Sequence, residues 1–362
     1  MRILFVKLGS IGDIVHTLPA LAALRRAMPH AEISWVVERR AAEILKDKQV
    51  IDRLIEVDTK ALRRGLMSGE TLRAPRQQLR RLRASAFDIA LDFQGLLKSA
   101  SIARLSGARR IFGYSREGLR EPASQFLLSR TVPVPRKTHV IRKALSLLNG
   151  ALGVPVPVDS ADYEFPIGIG DNHEQEAKNV SEDYERFAIL NPAGGWPTKL
   201  WSAERFGLLA DELWQNYGLT SLVTYGPGEA ELAGLAVRSS KTQKARAVSL
   251  SLKGFCALAR RAEIYVGGDT GPTHLAVASG TPVVGLFGPT EWWRNGSPHQ
   301  EDVCVERLDI DCRVDCHRRA CSNWICMNIE VNRVFAAVTE RLNRAGRIPT
   351  YSATTADATS RN

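Results

Sequence analysis

The chain has 362 residues, of which 44% are hydrophobic and 24% are charged. This chain is longer than a single hydrophobic core usually supports, so we expect two domains. No apolar run approaches the ~20 residues of a spanning helix. The first apolar run is short and a glycine turn interrupts it, so we expect no signal peptide and a cytoplasmic protein. Lys and Arg exceed Asp and Glu by 49 − 39 = 10, which favours an anionic partner.

The basic excess is concentrated in residues 60–83, which hold eight basic residues and one acidic residue. The arginines recur at roughly helical spacing, so this stretch is either a solvated helix face or an anion-binding surface. Nucleic acid is disfavoured as the partner, because no aromatic residues that stack on bases are interleaved with the basic ones.

The first half of the chain alternates between strand-like and helix-like segments. Short β-rich runs lie at residues 2–8, 32–38, 53–58, 87–93 and 109–114, and helical stretches such as 17–28 separate them. Residues 153–168 have the Pro- and Val-rich composition of a linker. The alternation then restarts, with β-rich runs at 186–192, 220–228, 262–271 and 281–290 and a helical stretch at 203–216.

This alternation predicts an α/β fold with two Rossmann-like, doubly wound parallel sheets that face each other across a cleft. We expect an amino-terminal domain over residues 1–165 and a carboxy-terminal domain over residues 166–335. A final helix is predicted at 336–347, and the small polar residues 348–362 have the composition of a disordered tail.

The first strand leads into the loop Gly9-x-x-Gly12-Asp13. The loop lacks the pattern G-x-G-x-x-G, and the charge of Asp13 would repel a pyrophosphate at the helix start. A nicotinamide-dependent dehydrogenase with two such halves is therefore the less favoured alternative. Two roles for Asp13 stay open: a base, kept ionised by helix amides, that takes a proton from a hydroxyl, or a simple N-cap.

The second half has glycine-rich turns at successive strand ends, in residues 191–201, 225–231 and 267–276. Ligands in open α/β sheets bind beyond the carboxyl ends of the strands, and a helix start there binds phosphate. Lys199 would add a mobile positive charge, and Glu229 could bind ribose hydroxyls. Thr270, Gly271 and Thr273 could offer amides and hydroxyls to a phosphate at the helix start, and His274 lies one turn into the helix on the side that a ligand could reach. The turns predict a nucleotide diphosphate site.

Four segments together resemble one family: VKLGSIGDIVHTLPAL, DFQGLLKSA, REPAS and GGDTGPTHLA followed by GTPVVGLFGPT. They are similar to the bacterial lipopolysaccharide heptosyltransferases, a GT-B family of inverting glycosyltransferases, from residue 1 to about residue 340. The amino-terminal half most resembles the heptosyltransferase I branch. The lysine loop, with Ala193, Gly194 and Gly195, is nearer to other branches such as heptosyltransferase II.

The resemblance implies ADP-heptose as donor, a Kdo residue of Kdo-lipid A as acceptor, and a role in assembly of the lipopolysaccharide inner core. It implies no metal or other cofactor, and a monomer bound peripherally to the cytoplasmic face of the inner membrane. Asp13 falls on the catalytic base. The donor residues are Lys199, Glu229, Leu250 beside adenine, Asp269 on heptose hydroxyls, Thr270, Gly271 and His274. The acceptor residues are Gly12, His16, Arg63, Arg64, Lys98 and Arg120.

Four of the six cysteines form the pattern C-x3-C-x4-C-x4-C at Cys312, Cys316, Cys321 and Cys326. Four thiols this close could hold zinc. The pattern lacks C-x2-C pairs, and no second element nearby in the sequence frames a site, so reduced buried thiols are favoured and no metal ligand is assigned. The D-x-D formed by Asp309 and Asp311 lies in the same cysteine-rich segment and is interpreted as unrelated to catalysis.

Overall fold

The computed structural model describes residues 1–46, 50–59, 80, 82–312, 316 and 318–347. Its strands are β1 Arg2–Val6, β2 Glu32–Glu38, β3 Arg53–Val57, β4 Ile89–Asp92, β5 Arg110–Tyr114, β6 Arg130–Val132, β7 Phe187–Asn191, β8 Thr220–Thr224, β9 Ala245–Val248, β10 Ile264–Gly268, β11 Val283–Phe287 and β12 Val303–Glu306. Its α-helices are α1 Ile11–Val15, α2 Leu18–Ala27, α3 Leu97–Leu105, α4 Val140–Leu152, α5 Asp171–Ser181, α6 Ala203–Tyr217, α7 Ala230–Ser239, α8 Leu252–Ala259, α9 Gly271–Ala278, α10 Trp292–Asn295 and α11 Val331–Arg344.

The strands form two six-stranded sheets in which every neighbouring pair is parallel. The first sheet has the order β3-β2-β1-β4-β5-β6 and the second β12-β11-β10-β7-β8-β9. In each sheet the winding reverses at one central pair, β1 with β4 and β7 with β10. Such a reversal leaves a crevice at the carboxyl ends of the two strands. The predicted α/β fold with two doubly wound parallel sheets is confirmed.

The chain divides into two compact units. The first comprises Met1–Glu174, Ser251–Ala257 and Glu291–His299, and the second comprises the rest. The domain boundary predicted between residues 165 and 166 stays a prediction.

The central strands are apolar because a parallel sheet is covered on both faces. Ile3, Leu4, Phe5 and Val6 of β1 are fully buried, and the Phe5 ring lies 5.2 Å from that of Trp35 in β2. In the second unit, α6 and α11 pack together. Tyr217 stacks on Phe335 at 5.7 Å and bonds Thr339 through its hydroxyl at 2.6 Å.

The structure also differs from the sequence-based expectations. The short strands β6, β9 and β12 were not predicted, and the last helix spans Val331–Arg344 rather than 336–347. The predicted tail 348–362 lies outside the described residues. Within the described part of the chain, no helix combines the length and the apolar character needed to cross a membrane.

The contact between α6 and α7 depends on a glycine. A Cβ atom at Gly207 would lie 2.5 Å from the carbonyl oxygen of Ala236 and 2.7 Å from Ser239 Cβ. We expect Gly207→Ala to lower the free energy of unfolding by about 1–3 kcal/mol, although alanine is the better helix former. Urea denaturation measures this change.

Gly234→Ala in α7 is the matched control. Its Cβ would meet only the mobile end of Arg238, with the nearest atom at 3.0 Å. This variant should keep the free energy of unfolding unchanged or raise it by up to ~1 kcal/mol, because alanine is the better helix former. Equal midpoints for the two variants would contradict the packing argument.

Candidate active site

The loop between β1 and α1 carries Asp13. Ser10 is the N-cap of α1: its hydroxyl accepts from Asp13 N at 3.3 Å, and Asp13 Oδ2 accepts from Ser10 N at 3.2 Å. The N-cap interpretation of Asp13 is therefore wrong, because Ser10 holds that position and Asp13 is the third helical residue. A Cβ at Gly9 would lie 2.6 Å from Asp13 Cβ, so only glycine at residue 9 leaves room for the carboxylate.

Asp13 is held in its ionised form. Burial would raise the pKa of Asp13, but the charge of Lys7, the Ser10 amide and the charge of Arg120 outweigh it and lower the pKa. Lys7 Nζ lies 3.4 Å from Asp13 Oδ1. Helix amides were expected to supply this stabilisation, and the structure adds a lysine with a larger effect. The Asp13 side chain is still 31% exposed, so a substrate can reach it.

A second loop, after β4, holds the Asp13 loop in place. Gln94 Oε1 accepts from Leu8 N at 3.1 Å and from Gly9 N at 3.0 Å. Asp92 in turn accepts from Gln94 N at 2.9 Å and from Ser99 Oγ at 3.1 Å. The two loops thus join where the first sheet reverses its winding. The sequence analysis did not identify Lys7, Asp92 or Gln94, although polar residues at the ends of strands β1 and β4 were the available signal.

The predicted acceptor residues are only partly brought together. Arg120 is exposed and lowers the Asp13 pKa, whereas Lys98 Nζ pairs with Glu38 at 3.7 Å. His16 is buried, with its ring 6.0 Å from that of His139. Gly12 is buried within α1. Arg63 and Arg64 lie outside the described residues.

The first unit contains one further cation that sequence reasoning missed. Burial lowers the pKa of Lys143 to about 8, and the charges of Lys7, Arg294 and Arg120 act in the same direction. Lys143 Nζ donates to the Gly118 carbonyl and lies 4.4 Å above the Tyr114 ring. Like charges raise one another's energy unless an anion joins them, so this part of the first unit favours an anionic ligand.

The second unit gathers its polar groups around Asp269, where β10 ends. Lys199 Nζ lies 2.5 Å from Asp269 Oδ2, and Thr290 Oγ1 donates to the same oxygen at 2.8 Å. His274 Nε2 lies 3.3 Å from Asp269 Oδ1. The residues come from the loops after β7, β10 and β11 and from α9. The structure therefore brings together the predicted donor residues Lys199, Asp269 and His274.

Two of these residues differ from the expectation. Lys199 was expected to be a mobile charge, but its side chain is only 11% exposed and is fixed on Asp269. His274 was expected to face a ligand, but it is buried against the same carboxylate. Burial would raise the pKa of Asp269, but the His274 hydrogen bond and the Lys199 charge hold that pKa well below its usual range. Asp269 therefore stays charged and positions both partners.

The start of α9 provides the remaining candidate ligands. Thr270 is its N-cap and Gly271 its first residue, and the first N–H groups of a helix have no acceptor within that helix. Thr273 is buried and donates to the Gly268 carbonyl, so its hydroxyl is committed to the turn. Glu229 Oε2 accepts from Gly226 N at 2.8 Å and closes its own loop. Leu250 is half-buried after β9.

The cysteine-rich segment belongs to the second unit. Cys312, Cys316 and Cys321 are exposed and Cys326 is half-buried, so the prediction of buried thiols is wrong for three of the four. Burial raises the pKa of the Cys326 thiol, and its three neighbouring thiols act in the same direction. Asp309 pairs with Arg307 at 2.6 Å.

Comparison with known proteins identifies the family. Residues 76–324 match glycosyltransferase family 9 (heptosyltransferase). The chain belongs to this family. This glycosyltransferase is 32% identical to lipopolysaccharide heptosyltransferase 1 of Pseudomonas aeruginosa, over 89% of this chain and 88% of that protein. This similarity does not distinguish heptosyltransferase I from heptosyltransferase II. It gives no support to the alternative that the protein is a nicotinamide-dependent dehydrogenase.

Solved structures agree with the fold. The structure of E. coli heptosyltransferase WaaC with ADP superposes with a TM-score of 0.75 at 26% identity, covering 94% of this chain and 100% of that one. E. coli ADP-heptose lps heptosyltransferase II gives 0.74 at 17% identity, over 96% and 100% of the two chains, and shows the shared fold alone. This family 9 glycosyltransferase therefore has the two-domain α/β fold of heptosyltransferases.

Gln94 should act as a positioning residue for Asp13. Gln94→Leu leaves the amides of Leu8 and Gly9 without their acceptor, at a cost of about 1–3 kcal/mol for each buried donor. We expect at least a tenfold slower sugar transfer. Gln94→Glu keeps an acceptor oxygen and should recover most of the unfolding midpoint. A Leu variant with the wild-type rate would show that the loop holds Asp13 without Gln94.

Asp92 should give the stability a measurable pH dependence. Burial raises its pKa from 3.8 to about 6, against the opposing amides of Gln94 and Gly95. The native state then binds this proton more tightly than the unfolded state, so the stabilisation is complete below pH 3.8 and is lost as the pH rises through about 6.

The measurement compares the wild type with Asp92→Asn, which cannot ionise. The free energy of unfolding of the wild type minus that of Asp92→Asn should fall by up to about 3 kcal/mol between pH 4 and pH 7. A constant difference, or one that grows with pH, would contradict the raised pKa.

Proposed function

We propose that this glycosyltransferase is a lipopolysaccharide heptosyltransferase that transfers L-glycero-D-manno-heptose from ADP-heptose to a Kdo residue of Kdo-lipid A. The observation that carries the proposal is Asp13, an accessible carboxylate with a lowered pKa where the first sheet reverses its winding. The similarity to the Pseudomonas protein supports the sugar, and the ADP in the WaaC structure supports the nucleotide.

The proposed reaction is a single displacement with inversion at the anomeric carbon. The acceptor hydroxyl oxygen forms a bond to that carbon, its proton passes to Asp13, and the bond from the carbon to the ADP oxygen breaks. The electron pair leaves with ADP. Lys199 and the amides at the start of α9 stabilise the charge that grows on the diphosphate, because these donors are fixed before the reaction begins.

A carboxylate with a lowered pKa, such as Asp13, is a weak base, but the proposed transfer step does not require a strong one. Glycosyl transfer passes through an oxocarbenium-like transition state. The attacking hydroxyl becomes strongly acidic only as its oxygen bonds to that cationic carbon. Asp13 must therefore be ionised and correctly placed rather than strongly basic, and its contacts with Lys7 and Ser10 meet both requirements.

The acceptor surface is anionic in this proposal. Lipid A carries phosphates and Kdo carries a carboxylate, and both suit the exposed Arg120 and the crowded cations near Lys143. We further propose that the chain acts as a monomer, bound peripherally to the cytoplasmic face of the inner membrane. A net charge of +10 supports such attachment, which should weaken with salt.

Transfer to the first heptose, the heptosyltransferase II reaction, is the second candidate. The observation that favours it is the lysine loop, because Ala193, Gly194 and Gly195 resemble the heptosyltransferase II branch more than the heptosyltransferase I branch. Offering the purified enzyme ADP-heptose with Kdo-lipid A, or with heptosyl-Kdo-lipid A, distinguishes the two. Mass spectrometry of the lipid shows which acceptor gains one heptose.

The two proposed roles predict different variant phenotypes. Asp13→Asn should lower kcat by about 10²–10⁴-fold, the usual contribution of a general base, while the Kd for ADP stays unchanged. Lys199→Met should weaken ADP binding by roughly tenfold or more, because it removes a charged hydrogen bond. Isothermal calorimetry with ADP and a single-turnover assay measure both quantities.

Lys98→Met is the matched control for charge, since Lys98 is an exposed lysine in the first unit that pairs with Glu38. It should leave ADP binding unaffected. Wild-type turnover by Asp13→Asn would remove the base assignment, and consumption of a different nucleotide sugar would remove the donor assignment.

A further inference from the structure

The segment between β12 and α11 is an unusual part of the second unit. Residues 307–330 contain no helix or strand in their described portion. Long connections between regular elements are uncommon in compact domains and usually have a function. Four of the six cysteines lie here, within residues 312–326.

The four cysteines line one cavity of about 520 Å³. Its wall also includes Thr198 from the turn after β7 and Gly288 from the loop after β11. Cys326 and Met327 pack tightly on that loop: a Cβ at Gly288 would lie 2.5 Å from Met327 Sδ and 3.1 Å from Cys326 Sγ. No element near the cysteines in the sequence predicted a surrounding for these thiols, but in the folded second unit Thr198 and Gly288 line the cavity with them.

Hydrophobic packing does not explain these cysteines. Buried cysteine behaves as a small apolar residue, but three of these four side chains are exposed. All four sulfurs are free thiols that share one cavity. Four thiols that line one cavity and do not pack in a core are the ligand set of a tetrahedral metal site, for which Zn²⁺ is the common occupant.

We propose that Cys312, Cys316, Cys321 and Cys326 bind one Zn²⁺ ion in a closed tetrathiolate site. Binding releases four thiol protons and forms four Zn–S bonds, which leaves the site with a net charge of about −2. Arg318 lines the same cavity and provides a compensating charge. Among the described side chains no three already stand in a metal-bound arrangement. The exposed thiols must therefore rotate inward, which their exposure permits.

The site would stabilise the turn that carries Lys199. Thr198 Oγ1 donates to the Arg318 carbonyl at 2.6 Å, and Trp324 Nε1 donates to the Thr198 carbonyl at 2.9 Å. Both partners belong to the cysteine segment. The Arg319 guanidinium also lies 5.2 Å from the Trp196 ring, above which Lys199 Nζ stands at 4.2 Å. The ion is a structural one and takes no part in the transfer step.

The first test measures metal content in the full chain. The protein is expressed with zinc and iron supplied, purified without a polyhistidine tag under reducing conditions, and analysed by plasma mass spectrometry. We expect about one zinc per chain. Serine substitution of each of the four cysteines should abolish most of the bound zinc. Cys304→Ser, a half-buried cysteine of β12 that does not line the cavity, should retain it.

A second measurement keeps the proposal testable if the serine variants do not fold. The reduced wild-type chain is stripped with a chelator and titrated with Co²⁺, whose tetrahedral thiolate complex absorbs strongly in the visible range. Saturation at about one ion per chain, reversed by Zn²⁺, supports the site. Wild-type protein that lacks zinc and also fails this titration would overturn it. Equal loss of zinc in Cys304→Ser and in the four cavity variants would also overturn the site. One iron per chain in place of zinc would overturn the choice of metal. None of these readouts depends on the proposed sugar transfer.

Discussion

The strand order of the two sheets determines where chemistry can occur. In each sheet the chain winds outward in opposite directions from a central pair, β1 with β4 and β7 with β10. The loops that leave such a pair diverge, and the gap between them is open to a ligand. Both groups of candidate site residues lie at these positions: Asp13 and Gln94 follow β1 and β4, and Lys199 and Asp269 follow β7 and β10. One topology, used twice, thus supplies two sites.

Burial separates the roles of the two carboxylates. Each is ionised and paired with a lysine, Asp13 with Lys7 at 3.4 Å and Asp269 with Lys199 at 2.5 Å. The Asp13 side chain is 31% exposed, whereas that of Asp269 is 6% exposed and also binds a histidine and a threonine. A reachable carboxylate can accept a proton from a substrate. A buried, fully bonded one instead orients its neighbours, so in the second site the lysine is the group left to meet an anion.

The sequence predicted the central strands because they are apolar on both faces, and it predicted the glycine loops because they end those strands. It did not predict β6, β9 or β12, which are short and lie at the sheet edges, where exposed residues such as Arg246 weaken the apolar pattern. The sequence also did not predict contacts between residues that lie far apart in the chain. Gln94 binds the amides of Leu8 and Gly9 across more than eighty residues of chain, a pairing that only the fold creates. The spacing Ser10-x-x-Asp13 is typical of a capping box and could have predicted Ser10 as the N-cap. The sequence analysis considered only Asp13 for that position.

In the proposed reaction, the fixed position of Lys199 would matter for its effect on the leaving diphosphate. A lysine side chain loses up to ~2 kcal/mol of rotamer freedom when it is ordered, and a mobile lysine must lose it during each reaction. Here Asp269, at the end of β10, holds the Lys199 ammonium group in place through an ion pair. The hydrogen bonds between Thr198 and the cysteine segment hold the backbone next to Lys199. The cost of ordering is therefore met during folding, not at the transition state. A charge that is already in place stabilises a developing anion without reorganisation. In the proposed reaction, the segment after β12 would therefore act on the chemistry through the position of Lys199.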